Sequence, residues 1–382
     1  MAEVGPDFGF GLYIHWPYCA RICPYCDFNV YAAKDRGTTP LIAAIIEDLL
    51  RHRARLPDHP ALDSVFFGGG TPSLLSAREM AAILTQVNDA FGIADGAEIT
   101  LEANPNDVAA SPPSEWQAAG INRVSLGVQS LDDAALHFLG RDHDRAQALT
   151  AVDAVAGVFD NHSIDLIYAR PDQAPEAWDA ELKQVLALGA PHLSLYELTI
   201  EARTAFGKRA ARGELVPMED DAQADLYELT QSICDAAGLP AYEVSNHARG
   251  PAYESRHNHI YWASGDWIGL GPGAHGRLTR NGVRLATEAA RRPAEYQANA
   301  GGIETQLSQT DTAREFLAMA LRPTKGLDLT RFAHLFGAPP DAETLRDLVA
   351  NGLATFDDET LRLTVSGRLM ADHIARLLTP QE

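Results

Sequence analysis

Short apolar runs alternate with stretches of helical periodicity through the first two-thirds of the 382-residue chain. Residues 11–16 (Gly-Leu-Tyr-Ile-His-Trp) have the make-up of a buried strand. Leu41, Ile42, Ile45, Ile46, Leu49 and Leu50 then fall on one face of a helix. The same pair of patterns repeats. A second strand over 63–67 runs into Gly68-Gly69-Gly70. It is followed by Ser76 and Glu79, at capping-box spacing, ahead of Met80, Ile83, Leu84 and Val87. Strands are expected over 98–103, 123–128, 162–168 and 192–198. Helices are expected from about Asp132 and Asp144 and over 175–188 and 220–237, with Gly120 and Gly189 as stops. Six strand–helix units in succession predict an α/β fold, a parallel sheet wrapped by helices, with chemistry gathered at the C-terminal ends of the strands. Periodicity does not say whether such a sheet closes.

Beyond the sixth unit the pattern loosens. Residues 241–305 are rich in Gly, His, Tyr and Trp and read as a connecting segment after a core domain over 1–240. Residues 306–382 form a third unit: helices near 312–321, 329–336 and 341–350, a hairpin of 354–356 with 361–364, and a last helix. That is a winged-helix outline. From 311 to 382 it carries 8 basic and 11 acidic residues, so it lacks the basic face a DNA reader needs.

Whole-chain charge extends that exclusion. The chain has 31 basic and 52 acidic residues, a net charge of −21, which disfavours nucleic acid or anionic lipid as a main partner. Hydrophobic content of 46% and charged content of 22% suit an ordinary globular protein. No apolar run approaches the roughly 20 residues of a membrane span, and the first ten residues lack the pattern of a signal peptide. A cytoplasmic, reducing compartment is expected.

In that setting three cysteines within eight residues point to metal. Cys19-Ala-Arg-Ile-Cys23-Pro-Tyr-Cys26 directly follows the first strand. Three thiolates on one tight loop suit a cubane iron–sulfur cluster. Structural zinc would need a fourth ligand, and the remaining cysteine, Cys234, lies over 200 residues away in a helix. His15 is near, but as a strand residue it is expected to point elsewhere. A three-cysteine [4Fe–4S] cluster leaves one iron open, and the amino and carboxylate groups of S-adenosylmethionine (SAM) can chelate it.

The cysteine spacing and the order of the later motifs resemble radical SAM proteins, specifically their coproporphyrinogen-oxidase-like branch, over nearly the whole chain. The resemblance implies a partial (β/α)6 barrel followed by the C-terminal domain typical of the branch. It assigns Gly69, Gly70 and Thr71 to the SAM amino group and places Tyr13 and Tyr25 beside SAM. Glu102, Gln129 and Asp165, all at or near strand ends, then face the cofactor, and Arg141 offers a planar fork to its carboxylate. Asp107, Asp132 and Glu181 read as solvated or capping residues. Two departures from the commonest family text, Ala169-Arg170 and Ala202-Arg203, read as exposed loop residues, the alternative being that they adjust which anionic ligand, such as a propionate carboxylate, is accepted.

Within the branch the sequence is more similar to the haem chaperones than to the oxidases. The oxidases carry a further cysteine two residues after the third cluster ligand, where this chain has Phe28, and a longer leader than the 18 residues before Cys19. The resemblance implies haem as a third cofactor, with haem-accepting respiratory proteins and an electron donor as partners. Dimerisation and peripheral membrane contact are compatible with it, although no segment demonstrates either. Coproporphyrinogen dehydrogenation is not expected, and a cluster-only redox sensor would need no SAM pocket. For haem iron, His257 is the first candidate and His259 the second, within Arg256-His257-Asn258-His259-Ile260-Tyr261-Trp262. Tyr261 and Trp262 are placed to stack on the macrocycle. His247 and His275 are read as structural or SAM-adjacent.

Overall fold

The computed structural model describes residues 3–33, 37–357 and 359–380. Eleven strands form one continuous sheet. In chain order they are β1 (Phe10–Trp16), β2 (Leu62–Gly69), β3 (Ile93–Ala103), β4 (Arg123–Gln129), β5 (His162–Tyr168), β6 (His192–Glu197), β7 (Asn246–Ala248), β8 (Asp266–Leu270), β9 (His275–Arg280), β10 (Val283–Ala289) and β11 (Gly302–Gln306). Across the sheet the order is β11-β10-β9-β8-β1-β2-β3-β4-β5-β6-β7, and β1 to β6 run parallel in sequence order. Five crossovers in one direction coil this part into a partial (β/α)6 barrel. The edge strands β11 and β7 do not pair with each other, so the barrel stays open.

The segment expected to be a loose connector is therefore part of the sheet. β8 lies parallel beside β1, in register from Phe10 opposite Asp266 to Ile14 opposite Leu270, and β9, β10 and β11 extend the edge antiparallel. Three of its four strands each hold a glycine (Gly269, Gly276 and Gly302) that interrupts the apolar pattern. At Gly269 and Gly276 any side chain would strike backbone, Gly269 within 2.2 Å of the His275 carbonyl and Gly276 within 2.8 Å of Trp267.

Helices cover the outer face: α1 (Thr39–Arg55), α2 (Ala77–Phe91), α3 (Arg145–Ala156), α4 (Pro175–Leu186) and α5 (Asp220–Ala236). Ser76 and Glu79 close the expected capping box on α2, and Asp144 caps α3. On α1 the buried stripe is Leu41, Ala44, Ile45, Asp48, Leu49 and His52. Polar Asp48 takes a stripe position where it accepts the Tyr296 hydroxyl at 2.8 Å. Leu50, expected inside, lies past the edge of that stripe and is 52% exposed.

The C-terminal unit packs its own core of Phe316, Leu317, Phe332, Leu361 and Ile374 under a three-stranded antiparallel sheet (Leu327–Asp328, Thr360–Leu363, Ala354–Phe356), a winged-helix-like arrangement. Arg368 ties it to the barrel through Tyr227 Oη and Gln231 Oε1 on α5. Arg331 lies over the Phe8 ring and donates to the Ala263 carbonyl.

Ala169, just past β5, is buried in the left-handed region at φ 55°. A Cβ crowds the carbonyl there, and glycine would not. Ala169→Gly is expected to stabilise the chain by about 0.5–1 kcal/mol, after the larger unfolded-state entropy of glycine is offset. A denaturation midpoint that does not rise would show that the backbone tolerates this φ without strain.

Candidate functional site

At the C-terminal end of the barrel strands lies a cavity of about 670 Å3. Every residue expected to meet the cluster or SAM lines it, from Tyr13 on β1 to Asp165 on β5. Cys19 is buried, Cys23 and Cys26 are half-buried, and all three are free thiols. Their loop is pinned at both ends. Tyr31 N–H donates to the Pro17 carbonyl at 2.7 Å and Ala33 N–H to that of Cys19 at 2.9 Å. The Asn29 carboxamide donates to the carbonyls of Pro272 and Arg291, each at 2.8 Å.

The glycine turn lies against this loop. Gly70 N–H donates to the Trp16 carbonyl at 2.7 Å and Thr71 N–H to that of Tyr18 at 2.9 Å. Gly69 sits at φ 104°, and a Cβ there would fall 2.6 Å from the His15 ring. Only glycine fits. His15 Nε2 faces the Asn29 carbonyl at 3.0 Å, so it carries the proton, and Nδ1 accepts from the Tyr13 hydroxyl at 3.1 Å. Both nitrogens are engaged, which keeps His15 from completing a zinc site.

Among the carboxylates that line the cavity are Glu102 and Asp165. Glu102 accepts from Gly69 N–H at 3.1 Å, and burial together with the charge of Asp165 pushes its carboxyl up to about 7. Asp165 accepts the hydroxyls of Ser125 and Ser163, each at 2.8 Å, yet burial still raises it above the ordinary carboxylate range. Its apolar strand turns it inward, as expected of an acid there.

Opposite them Arg141 is held by several acceptors. It donates to Cys23 Sγ at 3.3 Å, to the Gly127 carbonyl at 3.0 Å and to Asn104 Oδ1. Its Nε, buried, has no partner among the described residues. Asn104, which sequence reasoning passed over, also donates to Thr71 Oγ1 at 3.3 Å and so joins the glycine turn to the guanidinium. Its position at a strand end before a proline reads as a helix cap, which it also is. Gln129 lines the cavity from a β4 irregularity at φ 67°. Tyr25 lines it from the cysteine loop and packs its ring 6.4 Å from that of Phe206.

Asp107 and Asp132 are caps, as read, but other residues lie elsewhere than expected. Glu181 is not solvated: it is 7% exposed and paired with Arg170 at 2.8 Å. Arg170 is thereby a buried residue, not an exposed loop residue, whereas Arg203 is exposed. His247 is buried with Nδ1 near the Leu239 carbonyl, away from the cavity, and His275 is an exposed residue of β9.

The histidine motif forms a two-turn helix, α6 (Arg256–Trp262), whose residues divide between two faces. His257 and Tyr261, four apart, face the cavity. His257 is buried, stacks on Phe66 and has both nitrogens engaged, Nδ1 with Ser64 Oγ at 2.7 Å and Nε2 with Tyr261 Oη at 2.6 Å. Burial drops its imidazole to about 3, so it is neutral. In this conformation both His257 nitrogens are held by hydroxyls, those of Ser64 and Tyr261. His259 and Trp262 face a separate groove of about 480 Å3 between barrel and C-terminal unit, shared with Phe316 and Lys325. His259 is half-buried and holds Glu254 through Nε2 at 2.6 Å.

Among the described residues no three His, Cys, Asp or Glu side chains converge on one metal-ion position. Three thiols spaced around a cavity rim suit a body several ångströms across, whereas a single zinc needs convergence. A buried guanidinium with an unpartnered Nε and two inward carboxylates suit a zwitterion with an added cationic centre. The residues fit both groups.

Residues 13–185 match the Radical SAM superfamily and residues 307–370 the HemN C-terminal domain. The chain is 38% identical to "Heme chaperone HemW" of Mycobacterium tuberculosis over 98% of its length and 95% of that protein's. It is 36% identical to the Escherichia coli protein of that name over 96% and 97%. It is also 36% identical to the mouse "Radical S-adenosyl methionine domain-containing protein 1, mitochondrial" over 97% and 87%. Among solved structures it resembles the coproporphyrinogen III oxidase HemN of E. coli, with TM-score 0.80 and 21% identity over 97% of this chain and 90% of that one. Membership of this group implies SAM and a [4Fe–4S] cluster. The chain belongs to the radical SAM superfamily, in the branch that contains the HemW proteins and HemN.

Proposed function

We propose that this protein is a haem chaperone: it binds haem, carries a SAM-ligated [4Fe–4S] cluster, and passes haem to acceptor proteins of respiration. The observation that carries this is similarity along nearly the full length of both chains to proteins named as haem chaperones. Phe28 supports it. At the position of the oxidases' extra cysteine, the cavity mouth presents an apolar ring, 63% exposed.

Cys19, Cys23 and Cys26 hold the cluster by three irons. Gly69–Thr71 backbone and Glu102 receive the SAM ammonium, Arg141 its carboxylate, and Gln129 and Asp165 its ribose, with Tyr13 and Tyr25 walling the pocket. When bound, cluster and SAM supply one-electron reductive chemistry at the sulfonium. The protein's share is to fix orientation, and Arg141 also donates a hydrogen bond to a cluster thiolate, which favours the reduced form by stabilising added negative charge. For haem, His259 is the accessible imidazole of the motif, and its bond to Glu254 resembles the carboxylate partner of many metal-bound histidines.

The test is anaerobic reconstitution followed by two assays. Haem titration should give a saturable Soret change that His259→Ala weakens, with transfer to an apo-cytochrome as the second readout. Coproporphyrinogen III should be left unconverted. Turnover of that substrate would replace the chaperone reading with that of an oxidase.

A further inference from the structure

Gln129 is held in an uncommon conformation. At φ 67° it stands at the centre of a three-residue turn in which Ser130 N–H donates back to the Val128 carbonyl at 2.9 Å. Non-glycine residues persist there only where their surroundings enforce it, and such positions gather at ligand sites.

The enforcing groups are buried charges. Glu181 of α4 reaches over the end of β4, where it accepts the Ser130 hydroxyl and, at 2.8 Å, Leu131 N–H. Arg170, at the end of β5, donates to Glu181 Oε2 at 2.8 Å, to Ser130 Oγ at 3.2 Å and to the Ile167 carbonyl at 3.0 Å. Asp132 N–H donates to Ser130 Oγ at 3.0 Å, which completes the ring of bonds. Ser130 is wholly buried, and Arg170 and Glu181 are over nine-tenths buried. An ion pair so placed adds little net stability over apolar residues of similar volume, so its presence calls for another reason.

We propose that Arg170 and Glu181 are positioning residues that hold Gln129 against the cavity and thereby set affinity for SAM. This rests on the assignment of the cavity to SAM. Neither residue lines the cavity. Both act through Ser130 and the turn that carries Gln129.

The test uses the full-length, cluster-reconstituted protein under anaerobic conditions, with SAM dissociation constants for the wild type, Arg170→Leu/Glu181→Leu, Gln129→Ala and the combination. The leucine pair removes the clamp without stranding a buried charge, so it should fold. It should weaken SAM binding about tenfold while leaving thermal stability unchanged or higher, and adding it to Gln129→Ala should bring no further loss. Hydrogen exchange over residues 128–132 of the SAM-free leucine-pair protein should quicken. Glu181→Gln, which keeps the shape and an acceptor, should give a smaller loss in the same direction and covers the case of a leucine pair that does not fold. Wild-type affinity in the folded leucine-pair and Glu181→Gln proteins, or losses that multiply in the Gln129→Ala background, would overturn the clamp. A wild type that ignores SAM would instead overturn the cavity assignment itself.

Discussion

Replacing any one of Cys19, Cys23 and Cys26 by alanine is expected to reduce bound iron and acid-labile sulfide to background and abolish the effect of SAM on the cluster spectrum. Two thiolates leave two iron corners without protein ligands, and the cubane is then held too weakly to survive desalting. Burial raises the Cys19 thiol and pushes Cys26 up to about 11, so in the absence of metal these groups stay protonated and iron must displace the protons. Cys234→Ala is the control. That thiol is wholly buried in α5 among apolar neighbours, and its loss should cost packing only. Stoichiometric zinc retained by the wild type, with no uptake of iron and sulfide, would remove the basis of the cofactor assignment.

The second large effect is electrostatic. SAM brings two positive centres into a cavity where burial and the charge of Asp165 push the Glu102 carboxyl up to about 7. Below that pH the group is neutral and contributes little attraction, and above it the carboxylate is available. SAM affinity should therefore climb as pH rises through about 7 and level off beyond. Glu102→Gln should flatten the climb and lower affinity at pH 8 by roughly ten- to a hundredfold, the range of a hydrogen bond to a charged group. In the SAM-free protein the sign reverses. The carboxyl is protonated without penalty below its unfolded value of 4.5 and must ionise while buried as pH rises toward 7. Stability of the empty protein should fall across that window, and added SAM should recover it. A pH-independent affinity would show that Glu102 does not meet the cationic part of the ligand.

Much of this was legible in the sequence where local pattern and tertiary context agree. All six parallel strands announce themselves as apolar runs, since both faces are covered, and the Ser76–Glu79 box marks the start of α2. Glu102 and Gln129 were legible as polar residues at strand ends and the three cysteines by their spacing, whereas the roles of Tyr13, Tyr25 and the glycine turn came from the family resemblance. What could not be read depends on distant partners. Charges default to solvent in any local reading, so Arg170 and Glu181 looked exposed until the fold brought them together over Ser130. His257 looked like a free imidazole because Ser64, which occupies its Nδ1, is 193 residues away. The strands β8, β9 and β11 gave no clear alternation, since each holds a glycine at a close backbone approach in place of a packed side chain.

The place of β1 bears on how the molecule is assembled during synthesis. The strand that leads into the cysteine loop is wedged between β2 and β8, and Asn29, a few residues past Cys26, is fastened to carbonyls at positions 272 and 291. A ribosome that has released only the first 250 residues has therefore exposed the thiols without the framework that seats them. Loading of iron and sulfide should await nearly complete translation, and nascent chains stalled before residue 266 should fail to retain them.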